Sequence, residues 1–240
     1  MKRRDLLAGL AVAGLDLEAQ PAHSPESLYI PKPQLVDDRK LLHDFMDEYS
    51  FVDLVTSEPT VRITHIPCVL DRANGKFGTI FGHISKQNVQ NQCFDGKQTA
   101  VVVFRGPHSY ISPTWYANQQ AVPTWNFAVV HASGKLKPIT DKKAMHDLLA
   151  TLIDKFEKYE KSNYDFAKLP DSYIYGMIGG IVGFEMEIEL LEGKFKLGQE
   201  RSETDRQNVL KHLETAKQNP SVHDFTASFY QRFPKPKTPV

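Results

Sequence analysis

Apolar positions fall into two rhythms along the chain, and the change of rhythm marks its organisation. From Asp37 to Tyr49 they recur at Leu41, Leu42, Phe45 and Met46, which predicts a helix capped by Asp37 or Asp38. Short β-rich runs follow. Phe51–Thr56, Val61–Leu70 and Phe77–Ile84 read as strands, with Asn74-Gly75 as a hairpin turn between the last two. Ala100–Phe104 reads as a buried strand that Arg105-Gly106-Pro107-His108 ends in a turn, and an irregular loop carries Tyr110, Ser112 and Trp115. Trp125–His131 leads into another strand, and Ser133-Gly134 marks a turn before Lys135–Ile139. Helical spacing returns over Asp141–Tyr159, with Met145, Leu148, Leu149, Leu152, Ile153 and Phe156 on one stripe. A loop over 160–170 and a short helix Asp171–Ile178 precede a strand Ile181–Leu190, which Glu192-Gly193 turns into Lys194–Leu197. A helix over Glu203–Lys217 follows, then a further helical stretch carrying Phe225, Phe229 and Tyr230. Many short strands with helices at the periphery predict a small β-barrel.

Three divisions result. Residues 1–27 form an N-terminal extension, 28–217 the barrel domain, and 218–240 a C-terminal helix with a proline- and lysine-rich tail from Pro234. The extension opens Met1-Lys-Arg-Arg-Asp5, then runs apolar from Leu6 to Gly14, a pattern that resembles a Tat export signal and predicts a periplasmic protein. Asp16 and Glu18 interrupt that pattern, and the alternative is an amphipathic or disordered extension on a cytoplasmic protein. Beyond it no run reaches membrane-spanning length.

Charge narrows the partners. Twenty-nine basic residues balance twenty-nine acidic ones, so the chain lacks the basic surplus of an autonomous DNA-binding protein. The two cysteines, Cys68 and Cys93, have neither metal spacing nor a disulfide framework.

The two tryptophans, Trp115 and Trp125, sit in the same tripeptide, Pro113-Thr-Trp and Pro123-Thr-Trp, an echo too short to be a structural repeat. With Tyr110, Tyr116, Ser112, Thr114, Thr124 and Asn126 nearby, they suit a flat aromatic ligand with polar edges. Packing in the core or at an interface is the alternative for either indole. No nucleophile elbow, P-loop or His-Glu-x-x-His spacing is present. His65, His83, His108 and His131 leave a haem- or metal-binding barrel as a further alternative.

Leu28-Tyr-Ile-Pro-Lys-Pro33, Thr64-His-Ile-Pro67, Gly82-His-Ile-Ser-Lys-Gln-Asn88, the two Pro-Thr-Trp blocks, Val182-Gly-Phe-Glu185 and Gly193-Lys-Phe-Lys-Leu-Gly-Gln-Glu-Arg201 occur in that order. This series resembles the PaiB-like family of FMN-binding split-barrel proteins, often labelled negative transcriptional regulators. The resemblance implies a β-rich α+β split barrel that pairs as a homodimer, with FMN at the shared seam. It implies phosphate contacts from Ser85 and Lys86, at a strand end entering a helix, and from Lys196 and Arg201. Thr64, His65, Ser112, Trp115, Thr124, Trp125 and Gln199 would then surround the flavin. Where the family pattern has Ser and Asn, this chain has Gly198 and Glu200. The implied activity is hydride or electron transfer through the flavin, with a transcriptional regulator or sensor as the alternative.

Overall fold

The computed structural model describes residues 28–118, 120–215 and 221–234. The N-terminal extension of residues 1–27, with the segment read as an export signal, and the tail from residue 235 onward lie outside the described residues.

Among the described residues seven strands and five α-helices follow one another. They are β1 (Leu35–Val36), α1 (Arg39–Glu48), β2 (Phe51–Thr56), β3 (Arg62–Asp71), β4 (Thr79–Ser85), β5 (Thr99–Ile111), β6 (Thr124–Ile139), α2 (Lys142–Glu160), α3 (Asp171–Ile178), β7 (Ile181–Lys196), α4 (Glu203–Thr215) and α5 (Ser221–Arg232). The sheet order is β1-β7-β4-β3-β2-β5-β6, and β6 also pairs with β7, so six antiparallel strands close into a barrel. This is the split barrel expected from the sequence. β7 is the closing strand. Its first half lies between β4 and β6, and its last residues lie between β6 and β1.

The closed wall leaves no unpaired edge among these six strands and packs its interior with alternate residues of each strand. Leu54, Val102, Phe104, Ala128, Val130, Phe184, Met186 and Phe195 are fully or almost fully buried there. Asp38 caps α1 by accepting the Leu41 amide, and α1 sends Phe45 into this core. Asp141 caps α2 in the same way through Ala144. Met145, Leu148 and Leu152 of α2 and Ile174 and Ile178 of α3 then bury a second cluster with Val69 of β3. Phe225 and Phe229 of α5 pack on the barrel core, and the Tyr230 hydroxyl donates to the Leu197 carbonyl.

Three breaks expected from turn signals are absent. β5 runs through Gly106-Pro107 as a bulge, with Arg105 opposite Val129 and His108 opposite Phe127. Proline, lacking an N–H, is tolerated at a bulge, and Gly106 is needed because a Cβ there would lie 2.7 Å from the Phe45 ring. β6 runs through Ser133-Gly134, where a Cβ on Gly134 would lie 2.2 Å from the Glu187 carbonyl oxygen. β7 runs through Glu192-Gly193. In each case glycine permits close packing rather than reversal. The residues after Lys86 also differ from expectation. They form only a short 3₁₀ turn, Val89–Cys93, in which the Asn88 side chain accepts the Gln90 amide.

Candidate functional site

Strand register places the outward-facing residues in rows, because directly paired residues share a face. One row is His65, Asp53, Val103 and His131. The row on one side is Ile63, Val55 and Val101. Beyond the β5 bulge, His108, Phe127 and Lys196 make a row, and Tyr110 and Trp125 the last. This face of the barrel is uncovered and mixes large apolar groups with Asp53, His65, His108 and Lys196. Phe51 is 68% exposed, Ile63 56% and Trp125 50%, which is unusual for large apolar groups sharing one sheet face.

At one end of the face stands the tryptophan group. The Trp125 ring lies 6.0 Å from Tyr110 at 75° and 6.2 Å from His108. Beside it, Lys196 Nζ donates to Thr124 Oγ1 at 2.7 Å. Lys194 Nζ donates to the Tyr29 carbonyl at 2.8 Å and lies 5.6 Å from the centre of the Phe127 ring. Burial first, and then the neighbouring Lys196 charge, hold the Lys194 ammonium below the usual lysine range. Two close ammonium groups with a hydroxyl suit an anion, which relieves their mutual repulsion.

The other group lies at the far end of β3 and β4. Thr64 Oγ1 accepts from Asn88 Nδ2 at 2.9 Å and donates to Gln90 Oε1. Gln90 is fully buried and spans the barrel mouth, with Nε2 within hydrogen-bond reach of the Leu54 carbonyl at 3.0 Å, Thr56 Oγ1 at 3.2 Å and the Arg62 carbonyl at 3.3 Å. Asn91 Nδ2 donates to the Lys86 carbonyl at 2.9 Å, and the Lys86 amide donates to Gly180. This network holds the segment that presents the exposed side chains of Ser85 and Lys86. Ser85 Oγ accepts from the Gln87 amide at 3.3 Å. His65, next to Thr64 but on the opposite face, bonds through Nδ1 to Asp53 at 2.5 Å, and Arg105 approaches the same carboxylate at 2.8 Å.

One protomer does not unite the two groups. Ser85 pairs with Ile181 at the start of β7, and Lys196 ends that strand, about fifteen residues or on the order of 50 Å of strand path away.

Four expected site residues have other duties. Trp115 stacks on His212 of α4, with ring centres 5.1 Å apart and 8° between planes, and thereby fixes α4. Ser112 caps the turn Pro113–Trp115 by accepting the Thr114 amide, with Oγ 2.7 Å from Thr114 Oγ1. Gln199 ties backbone, with Nε2 donating to Pro33 at 2.8 Å and Oε1 accepting the Leu197 amide at 2.8 Å. The Arg201 guanidinium lies over the Tyr116 ring at 4.5 Å. Gly198, a departure from the family pattern, has φ of 76°, where glycine is at ease. Among the described residues no group of three His, Cys, Asp or Glu side chains can hold a metal ion. Sequence reasoning missed Asp53 and Gln90. An aspartate in the apolar run Phe51–Thr56 was the available signal for the first; nothing local marks the second.

The donor set fits FMN: hydroxyls and ammonium groups for its phosphate, and an exposed indole for its ring. Residues 28–190 match the protein family described as "Putative FMN-binding domain". Over 196 residues the chain is 34% identical to the protease synthase and sporulation protein PAI 2 of Bacillus subtilis, covering 81% of this chain and 93% of that one. It is 29% identical over 191 residues to the uncharacterized protein AN0679 of Emericella nidulans, covering 65% and 76% of the two chains. The flavocytochrome Anf3 of Azotobacter vinelandii shares the fold, with a TM-score of 0.50 and 13% identity over 68% of this chain and 69% of that one. The chain belongs to the PaiB-like family of FMN-binding split-barrel proteins, and FMN is its cofactor.

Proposed function

We propose that the protein is a homodimeric flavoprotein in which each FMN site is composed from both copies, and that it transfers hydride or electrons. One observation carries the reading: the two candidate groups stand at opposite ends of β7, and an uncovered face that exposes Phe51, Ile63 and Trp125 lies between them. In a two-fold dimer, residue i of one copy meets residue j of the other and the reverse. Pairing through this face buries Phe51 and Ile63, and sets the Ser85 and Lys86 end of each copy against the Trp125 and Lys196 end of its partner.

When bound, FMN supplies the redox chemistry itself. The chain's residues bind and orient it. Ser85 and Lys86 donate to the phosphate, and Trp125 and Tyr110 cover the ring and exclude water. His65, steadied by Asp53, offers its other ring nitrogen towards the seam. The balance of 29 basic and 29 acidic residues supplies no surplus positive charge for a nucleic-acid face, so the proposal rests on redox chemistry rather than DNA contact.

Subunit complementation tests the composite site. Lys86→Ala and Trp125→Ala dimers should each bind FMN weakly. Unfolded together and refolded as an equal mixture, they should recover about a quarter of the wild-type sites at wild-type affinity, because half of the dimers are mixed and each mixed dimer has one intact site. No recovery, or full-affinity binding by a monomer, overturns the arrangement.

A further inference from the structure

A groove lies away from the flavin face, between α2 and the outer surface of β3, β4 and the ends of β6 and β7. Its volume is about 760 Å³, within the range of small-molecule sites. Its floor is apolar: Val69, Leu70, Phe81, Ile139 and Leu148. Its rim is acidic, formed by Asp71, Asp141, Asp147 and Glu185, and Arg72 is the one cation among the lining residues.

The disposition of those charges selects the ligand. Arg72 is already committed, donating to Asp44 at 2.7 Å and to Asp47. Asp147 is paired with Lys143 at 2.6 Å. Asp141 closes the start of α2 by accepting the Ala144 amide at 2.7 Å, so that helix end is not open to an anion. Asp71 accepts the local Ala73 amide, at 3.0 Å, forms no ion pair among the described residues and stands next to the floor. Glu185 is half-buried, directly opposite Phe81 on one side and Lys137 on the other, and it forms no ion pair among the described residues. A phosphate or carboxylate entering here would meet these carboxylates. An ammonium group would relieve them while its hydrocarbon body covered the floor.

We propose that this groove binds a small organic cation, an amine carried on an apolar body, at a site separate from the flavin. Phenylpropylamine meets both requirements; phenylpropanol and phenylpropionate keep the apolar body but remove or reverse the charge. Isothermal titration of the full FMN-loaded protein should give saturable binding of the amine, at least about tenfold tighter than the alcohol, and no binding of the carboxylate. Glu185→Gln should weaken amine binding about fivefold or more. Ala144→Trp, at an exposed helix position facing the groove, should abolish it while the melting curve and the FMN spectrum stay as in wild type. Equal affinity for all three probes, no saturable binding of the amine, or binding retained in both variants overturns the proposal.

Discussion

Gln90→Leu is the substitution that most directly tests how the fold holds the phosphate end of the site. Leucine fits the volume but removes every polar contact. The Gln90 amide group has two hydrogens to share among the Leu54 carbonyl, Thr56 and the Arg62 carbonyl, and its oxygen takes the Thr64 hydroxyl. That amounts to about three bonds at about 1 kcal/mol each, with no water at a fully buried position to replace them. The expected loss is about 3 kcal/mol, equivalent to a melting temperature about 6–12 °C lower for a chain of this length. Urea titration followed by tryptophan fluorescence reads the stability. The same variant loosens Thr64, Asn88 and the segment that carries Lys86, so FMN affinity measured by flavin fluorescence quenching should fall about tenfold or more. An unchanged urea midpoint would show that the network is not what closes this end of the barrel. Lost stability with unchanged FMN affinity would separate the network from the phosphate contact and refute the link.

Two further predictions concern the barrel wall. Gly134→Ala would set a methyl group 2.2 Å from the Glu187 backbone oxygen, which has no side-chain freedom to move away. It should cost on the order of 3 kcal/mol and reduce soluble yield, and a melting curve within about 1 °C of wild type would refute this close crossing. Burial holds the His83 imidazole below its usual value of 6.5, and its buried Nδ1 has no hydrogen-bond partner among the described residues. The unfolded chain therefore takes up that proton first as pH falls, so the contribution of His83 to stability is intact above about pH 6.5 and declines below it. Urea midpoints between about pH 7.5 and pH 5.5 should fall for wild type and fall less for His83→Gln, and parallel curves would refute the assignment.

The helices were legible because spacing alone defines them. Met145, Leu148 and Leu152 recur at helical intervals, and Asp38 and Asp141 announce the starts. The long strands were less legible. Gly106-Pro107, Ser133-Gly134 and Glu192-Gly193 carry the composition of turns, yet each lies where the wall bulges or another element approaches closely. Local composition reports that glycine is required but not whether for conformation or for space. The same limit divides the two tryptophans. Their flanking residues are alike, but Trp115 meets His212 from a distant helix and Trp125 meets solvent. Ser85, Lys86, Thr124 and Lys196 could be picked out by residue type, whereas their separation to opposite ends of β7 is a property of topology.

Barrel closure by β7 has a consequence for biosynthesis. The edge of β4 is complete at Ser85, but its partner begins at Ile181, about 100 residues later. At translation rates of about 5–20 residues per second, that edge stands unpaired for about 5–20 s. During this interval the nascent chain displays Ile80 and Ile84, core residues of the finished protein, on an open sheet. The barrel can therefore close only once β7 has emerged, and until then this open edge is a route to wrong pairing.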